Sequence, residues 1–384
     1  SEGFRMRRIS ATTEAAIAGS RTRDAMRVSL WRGGELLRDS LEVSDWSITD
    51  DSTRKIRMQG TFTIVDEAGD LAPRRLEDAL SVAGSRLQLT FVDSAGEETP
   101  YAWLAIQEIR PDSKWVLRRS PSGATRWVNG GGKVQITADD LTSEIDADKL
   151  LAPESPQGTT FAQEIRRLAQ PLGVVIAYGL PVDNAVPLST VYEKERLDAI
   201  VDLAKNVGAV TRMRPEGVLE VISDDVPAPS WTIEGGDDGV LISAAAGQVK
   251  NELYNCVVAT SSSGGENQFV GRAYIDYGPL KWEGPFGRRP MFYSSPLINS
   301  PGEAEYAAQT HLRDLLAERT IALTIDCLPH PGLQSGDAVN VVVPGSSKPV
   351  VAQITTLQFS GGKEGVKTMK LTAKAPASAL EGIL

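Results

Sequence analysis

Apolar side chains in this chain change their spacing twice, from alternation to a helical repeat and back, and few folds accommodate that order. Through the first 140 residues they fall in short runs rich in Val, Ile, Phe and Trp, at 26–31, 41–48, 61–65, 87–92 and 103–109. Turn residues separate the runs, among them Gly33-Gly34, the acidic stretch 66–70 and Asp93-Ser94-Ala95-Gly96. Regular short strands of this kind predict a β-barrel or sandwich, with one short helix near residues 74–80.

From about Thr142 the period becomes helical. Phe161, Ile165, Leu168, Ala169 and Leu172 fall on one face, Thr160 and Gln163 have capping-box spacing, and Pro171 and Gly173 stop the helix. A second stripe, Leu197, Ile200, Val201, Ala204 and Val207, ends at Gly208. Residues 210–213 and 218–222 flank the turn Arg214-Pro215-Glu216-Gly217 and predict a hairpin. Pro-rich stretches at 151–158 and 226–229 bound this insert.

Strand character returns beyond Trp231, most clearly at 253–260; a polar loop follows at 261–267, and 277–300 is long and irregular. Ser300-Pro301-Gly302-Glu303 then supplies an N-cap, a Pro at the first helical position and a Glu three residues on. The helix it opens, about 301–319, is expected to bury Ala304, Ala307, Ala308, Leu312, Leu315 and Leu316. Alternation resumes at Ile321, Leu323 and Ile325; at Val339, Val341 and Val343; at Val350, Ala352 and Ile354; and at Met369, Leu371 and Ala373. These predict half-buried antiparallel strands. The expected fold is mainly β with an α+β insert: a β-domain over 1–141, an insert of two helices and a hairpin over 142–230, and a second β-domain over 231–384. A chain of 384 residues is long enough for two to four such units.

Composition narrows the function. A formal charge of -10 argues against general nucleic-acid binding, which draws on clustered cations to release counterions. No apolar run reaches the ~20 residues of a membrane span, and the polar segment after Arg5, Arg7 and Arg8 does not read as a signal peptide. Cys256 and Cys327 are too few for a disulfide framework and are expected as free, buried thiols of a protein made in a reducing cytoplasm. With two histidines the chain has no sequence-level triad: His311 edges a helix stripe, and His330 sits in the turn Pro329-His330-Pro331-Gly332. Metal-ligand spacings are missing, Asp237-Asp238 reading as a solvated acidic turn. Gly130-Gly131-Gly132-Lys133 lacks the spacing of a phosphate loop and reads as a flexible turn. Glu193 with Glu195, and Asp337, are carboxylates that a glycosidase could use; a solvated helix N-terminus and a strand-entry turn are the preferred reading of them. No catalytic residue, cofactor or metal ligand is assigned.

Three segments of the C-terminal half resemble a known family. Gly284-Pro285-Phe286-Gly287-Arg288-Arg289-Pro290 leads into Tyr293-Ser294-Ser295-Pro296-Leu297-Ile298, then the Ala-rich helix, then Pro329-His330-Pro331-Gly332-Leu333-Gln334-Ser335-Gly336-Asp337. Their order is similar to that in tail-tip hub, or minor tail, proteins of phages with long non-contractile tails, which are related in fold to the baseplate hubs of contractile tails. The resemblance implies two tail-tube-like β-barrel domains flanking a small α/β domain, and a homotrimeric ring. It also implies tail-tube or distal tail protein, tape-measure C-terminus and tip or fibre proteins as partners, with DNA passing through the lumen unbound. The expected place is the virion tail tip. Trp282, Phe286, Arg288, Arg289, Phe292 and Tyr293 form the candidate contact surface, because aromatics clustered with Arg anchor interfaces. The alternatives are a cell-wall glycan hydrolase and a glycan- or receptor-binding tail protein.

Overall fold

The computed structural model describes residues 7, 9–17, 24–121, 123–170, 174–187, 190–236, 239–247, 253–261, 269–295, 298–317, 320–342 and 348–376. These fall into a first unit, within 1–244 and 324–373, and a second, within 245–323 and 374–384.

In the first unit a short helix α1 (Ala11–Ile17) precedes β1 (Ala25–Arg32), β2 (Glu35–Arg38), β3 (Val43–Asp51), β4 (Met58–Asp66), β5 (Ser85–Val92), β6 (Glu98–Arg119) and β7 (Thr125–Asp140). They pair in the order β3-β4-β7-β6-β5-β1-β2, antiparallel throughout. Alternation does what it predicts: Met58, Phe62 and Ile64 of β4 turn inward while Gln59 and Thr61 face solvent. Residues 74–80 form turns instead of the expected helix. The Asp78 carboxylate accepts from the backbone N–H of Arg74 (2.6 Å) and of Arg75 (2.9 Å), and such local side-chain bonds hold a turn in competition with helix.

Residues 130–133, expected as a flexible turn, lie inside β7. A Cβ at Gly132 would stand 2.0 Å from the carbonyl oxygen of Asp112 on β6, so glycine here serves close backbone approach within a ladder. At this point β4 stops pairing with β7, the last pair being Asp66 with Gly132. Outward from it β6 and β7 pair only with each other, through Trp115↔Asn129 and Leu117↔Trp127 to Arg119↔Thr125. A two-stranded ribbon therefore leaves the sheet. Asn129 fixes its base, donating to Gly69 O (3.1 Å) and to Ser113 Oγ (3.3 Å).

The insert follows as α2 (Thr142–Ala147), α3 (Phe161–Ala169), β8 (Val175–Tyr178), α4 (Arg196–Asn206), β9 (Ala209–Met213) and β10 (Val218–Ser223). β10 is central, antiparallel to β9 as the hairpin prediction requires and parallel to β8. Thr160 caps α3 by accepting from Gln163 N, and Gln163 reaches back one residue further, to Thr159 N (3.1 Å). Phe161, Ile165, Leu168, Leu197, Ile200 and Leu219 meet in one core. Pro171, Leu172 and Gly173 lie outside the described residues.

After β11 (Trp231–Ile233) and β12 (Leu241–Gly247) the second unit holds β13 (Cys256–Ser261), β14 (Val270–Tyr274), β15 (Pro290–Ser295) and α5 (Pro301–Ala317). β13 is central, antiparallel to β14 and parallel to β15. The segment read as irregular thus contains a strand; its alternation is short, with Met291 and Tyr293 packed on the core and Phe292 and Ser294 outward. Ser300 accepts from Glu303 N (3.2 Å) to start α5. Ala304, Ala308 and Leu312 bury against Val257 and Ala273, whereas Leu316, expected inside, is exposed. Residues 262–267 of the polar loop and 318–319 of the expected helix are outside the described set.

Helix and sheet come close at Gly271. A Cβ there would stand 2.1 Å from the backbone carbon and oxygen of Ala304. Gly271→Ala should force α5 off β14 at a cost of about 1–3 kcal/mol. Thermal unfolding of the variant reads the loss.

The chain then supplies β16 (Thr320–Cys327), β17 (Ala338–Val341), β18 (Val350–Gly362), β19 (Gly365–Val366) and β20 (Met369–Pro376). β18 pairs antiparallel with β17 on one side and with β3 on the other, Phe359 lying beside Ile48. β11 runs parallel to β17. Val343 is outside the described residues. The architecture is mainly β with an α+β insert, as the changes of period predict; among the described residues the strand order does not close on itself. No helix of these residues is long and apolar enough to cross a membrane.

Candidate functional site

The aromatic surface expected from sequence lies in the second unit, on and beside the loop that feeds β15. Trp282 donates its backbone N–H to Ile275 O (2.7 Å), and its ring tilts against Tyr274 at 5.2 Å. The Arg288 guanidinium stands 5.8 Å from the Trp282 ring and pairs with Glu283. Arg289 contributes through its backbone, donating to Asn255 Oδ1 (2.8 Å), while Asn255 Nδ2 donates to Gly287 O (2.7 Å). Asn255 is fully buried and clasps the loop in place. No motif marks it in the sequence; its position just before β13 was the available signal.

Not all six residues face one way. Phe292 is 73% exposed and points away from α5, whereas Tyr293 packs inward with its ring 3.9 Å from that of His311. Phe286 is half-buried. The structure adds Tyr274, which sequence reading left out. An aromatic and guanidinium surface of this kind can anchor a protein partner.

The segment 329–337 is a different kind of feature, a buried polar junction within the first unit. Ser335 donates its N–H (2.9 Å) and hydroxyl (2.6 Å) to Asp50. Asp337 accepts from Gln334 N (3.0 Å) and pairs with Arg212 (3.3 Å), which also holds Glu220 (2.6 Å). Arg7 reaches in to donate to Pro331 O and Leu333 O, both at 3.2 Å, and lies 4.2 Å from the Tyr101 ring. His330, read as a turn residue, is buried; its Nδ1 accepts from Gly332 N (3.1 Å) and its ring meets Trp231 at 4.5 Å. Asp50, Arg57, Asp140 and Arg212 surround a small cavity beside this junction, and burial pushes the Asp140 carboxyl above the usual range and the Arg57 guanidinium below its own.

Burial pushes the Asp337 carboxyl up to about 6, with Arg212 pulling the other way. A folded-state value above the ordinary 3.8 means that the native state keeps this proton longer, so the stability it contributes is present at low pH and lost as pH rises from about 4 to 6. Asp337→Asn lacks this term. Its stability relative to the parent chain should therefore rise by about 3 kcal/mol across that window, read from urea unfolding at pH 4 and pH 7.

The carboxylates considered for catalysis do not make an open pair. Glu193 is exposed ahead of α4, Glu195 pairs with Lys149, and Asp337 is sealed in the junction. Both cysteines are buried thiols outside any disulfide, and burial raises the Cys256 thiol. Among the described residues no three His, Cys, Asp or Glu side chains converge on a metal position. Asp237 and Asp238 lie outside those residues, as do Pro296 and Leu297 of the family-like segment.

No family model and no curated relative matches this sequence. Solved structures do. The tail protein from Neisseria meningitidis MC58 superposes at a TM-score of 0.57 with 16% identity, covering 91% of this chain and 96% of that one. The 43 kDa tail protein of prophage MuSo2 from Shewanella oneidensis gives 0.57 at 12% identity, over 91% and 98%. The chain has the fold of phage tail proteins. A structure of the Francisella PdpA–VgrG complex shares it at a TM-score of 0.52 and 9% identity, over 95% of this chain and 60% of that one. Identities this low carry the fold, and the phage-tail fold was the one implied by the resemblance in residues 284–337.

Proposed function

We propose that this chain is a structural hub protein of a phage tail tip. Three copies close a ring that joins the tail tube, or the distal tail protein, to tip and fibre proteins and surrounds the path of DNA out of the particle. In this reading residues 1–141 and 231–384 supply the tube-like domains and 142–230 the insert between them. The ring holds the C-terminus of the tape-measure protein until ejection, and the protein is made in the host cytoplasm before assembly into the virion.

The observation that carries this reading is the match in fold along nine-tenths of the chain to tail proteins that it covers almost end to end. Two physical features agree with it. A net charge of -10 keeps DNA from adhering to a lumen built from this chain. The surface around Trp282, Arg288 and Phe292 gives the second unit an anchor for a tip or fibre protein. The hydrolase alternative loses one of its candidate carboxylates, because Asp337 is sealed from solvent.

Gold-labelled antibody against this chain, applied to intact virions and viewed by electron microscopy, tests the placement. Label at the distal end of the tail is expected. Label on the head or spread along the shaft overturns it.

A further inference from the structure

Where β1, β5 and β6 lie side by side, the sheet of the first unit has one sealed face and one that is open in part. Leu30, Leu87 and Leu104 are neighbours across the three strands and are fully buried. One residue along, the ladder sets Trp31 beside Arg86 and Arg86 beside Ala105, and Trp103 stands two residues from Ala105. Trp31, Arg86 and Trp103 therefore share the opposite face, where a sheet with one buried side ordinarily turns polar side chains to water. The two indoles meet edge to face, 5.5 Å between ring centroids.

α2 and the β9–β10 turn come over this face without closing it. Glu144 of α2 holds Arg86 through two hydrogen bonds, at 2.5 and 3.1 Å. Gly217 of the turn lies against Leu141 and Trp103, where a Cβ would stand 3.3 Å from the one and 3.9 Å from the other. A cleft of about 600 Å³ remains between them, within the range of small-molecule sites. Its rim is bare at Gly33, Gly34 and Gly84, since a Cβ at any of them would meet nothing within 4 Å.

The lining gives no net attraction to an ion. It holds two guanidinium groups, of Arg32 and Arg86, and two carboxylates, of Glu144 and Glu216, so its charges cancel. Arg32 is fixed by the carbonyls of Leu76, Glu77 and Asp78, and Arg86 by Glu144. Glu216 is exposed and can accept. Indole rings stack on the C–H faces of sugars, while carboxylates and ordered guanidinium groups bond the hydroxyls at the ring edge. A ligand that is apolar on its faces, polar at its edge and uncharged fits all of these groups at once. We infer that this cleft binds a short neutral saccharide, with Trp31 and Trp103 as the stacking platform and Glu216 and the Arg86–Glu144 pair as hydroxyl partners. The inference does not rest on the hub reading; under that reading, it gives the tail tip a contact with host surface glycan. A segment of a second copy of this chain is the competing occupant.

The test titrates the full chain by calorimetry with cellotriose, chitotriose and maltotriose, and with a sulfated disaccharide from heparin as the charged comparison. Trp103→Ala and Glu216→Ala are titrated alongside, with mass from light scattering and fold from far-UV circular dichroism. At least one neutral saccharide should bind at millimolar concentration or below, and the sulfated one should not. Each substitution should weaken that binding about tenfold, the worth of a stacked ring or of a hydrogen bond to a charged group. Glu216 sits on an exposed turn, so its variant gives a reading even where Trp103→Ala disturbs the sheet. Silence from all three neutral saccharides, or binding that survives both substitutions, overturns the site. A chain that binds none of them and loses multimeric mass on either substitution assigns the cleft to a second copy, and overturns it as well. Neither result contradicts the hub reading, which is tested by the place of the chain in the virion.

Discussion

Phe359→Ala should cost the first unit about 3–5 kcal/mol, the upper range for a single core truncation. Phe359 belongs to β18 and is 1% exposed, with Trp46 (5.3 Å), Phe91 (6.0 Å) and Tyr101 (5.5 Å) around its ring. Those neighbours come from β3, β5 and β6, so one side chain near the C-terminus completes a core built by the N-terminal strands. Removing the ring deletes buried apolar area and leaves a space that three other rings cannot all move to fill. Phe359→Leu keeps most of the volume and should cost well under half as much. Urea unfolding followed by tryptophan fluorescence measures both. A loss below about 1 kcal/mol for the Ala variant would mean that β18 does not seal that core.

Arg212→Ala comes next, with an expected loss of about 3–5 kcal/mol. Its guanidinium, 7% exposed, stands between Glu220 and Asp337, whose side chains are 4% and 2% exposed. Truncation leaves two carboxylates in a site without solvent to screen them. The penalty comes less from the lost pair than from the charges left behind, so Arg212→Leu combined with Glu220→Leu should be better tolerated than Arg212→Ala alone. A double variant as unstable as the single one would contradict that account. Arg214 also pairs with Glu220 but is half exposed, and its removal should cost under about 1 kcal/mol.

The elements were legible where a single period runs long enough. β4, α3, α4, the β9–β10 hairpin and α5 all fall where alternation, helical spacing or a cap places them. β15 was not, because two apolar positions on one side of a six-residue strand give little period to detect. Pairing was not legible either. Alternation says that Phe359 and Ile48 are each buried on one face, and nothing local says that they lie side by side.

The candidate surface was legible in part for the same reason. Trp282 and Arg288 show as an aromatic and cation cluster in the chain itself, while Tyr274 joins them only through the fold of β14. His330 and Asp337 looked like turn residues because Pro, Gly and Ser surround them; burial of that turn against Asp50 and Arg212 is a tertiary fact. The ribbon shows the converse, since its glycines read as a turn and serve instead to let two backbones approach.

The most direct measurement of the hub reading is the mass of the full-length protein by light scattering, alone and with the tail-tube protein of the same phage. Three copies, formed in solution or on the tube, are the expected result. A single chain that remains single and does not bind the tube would contradict it.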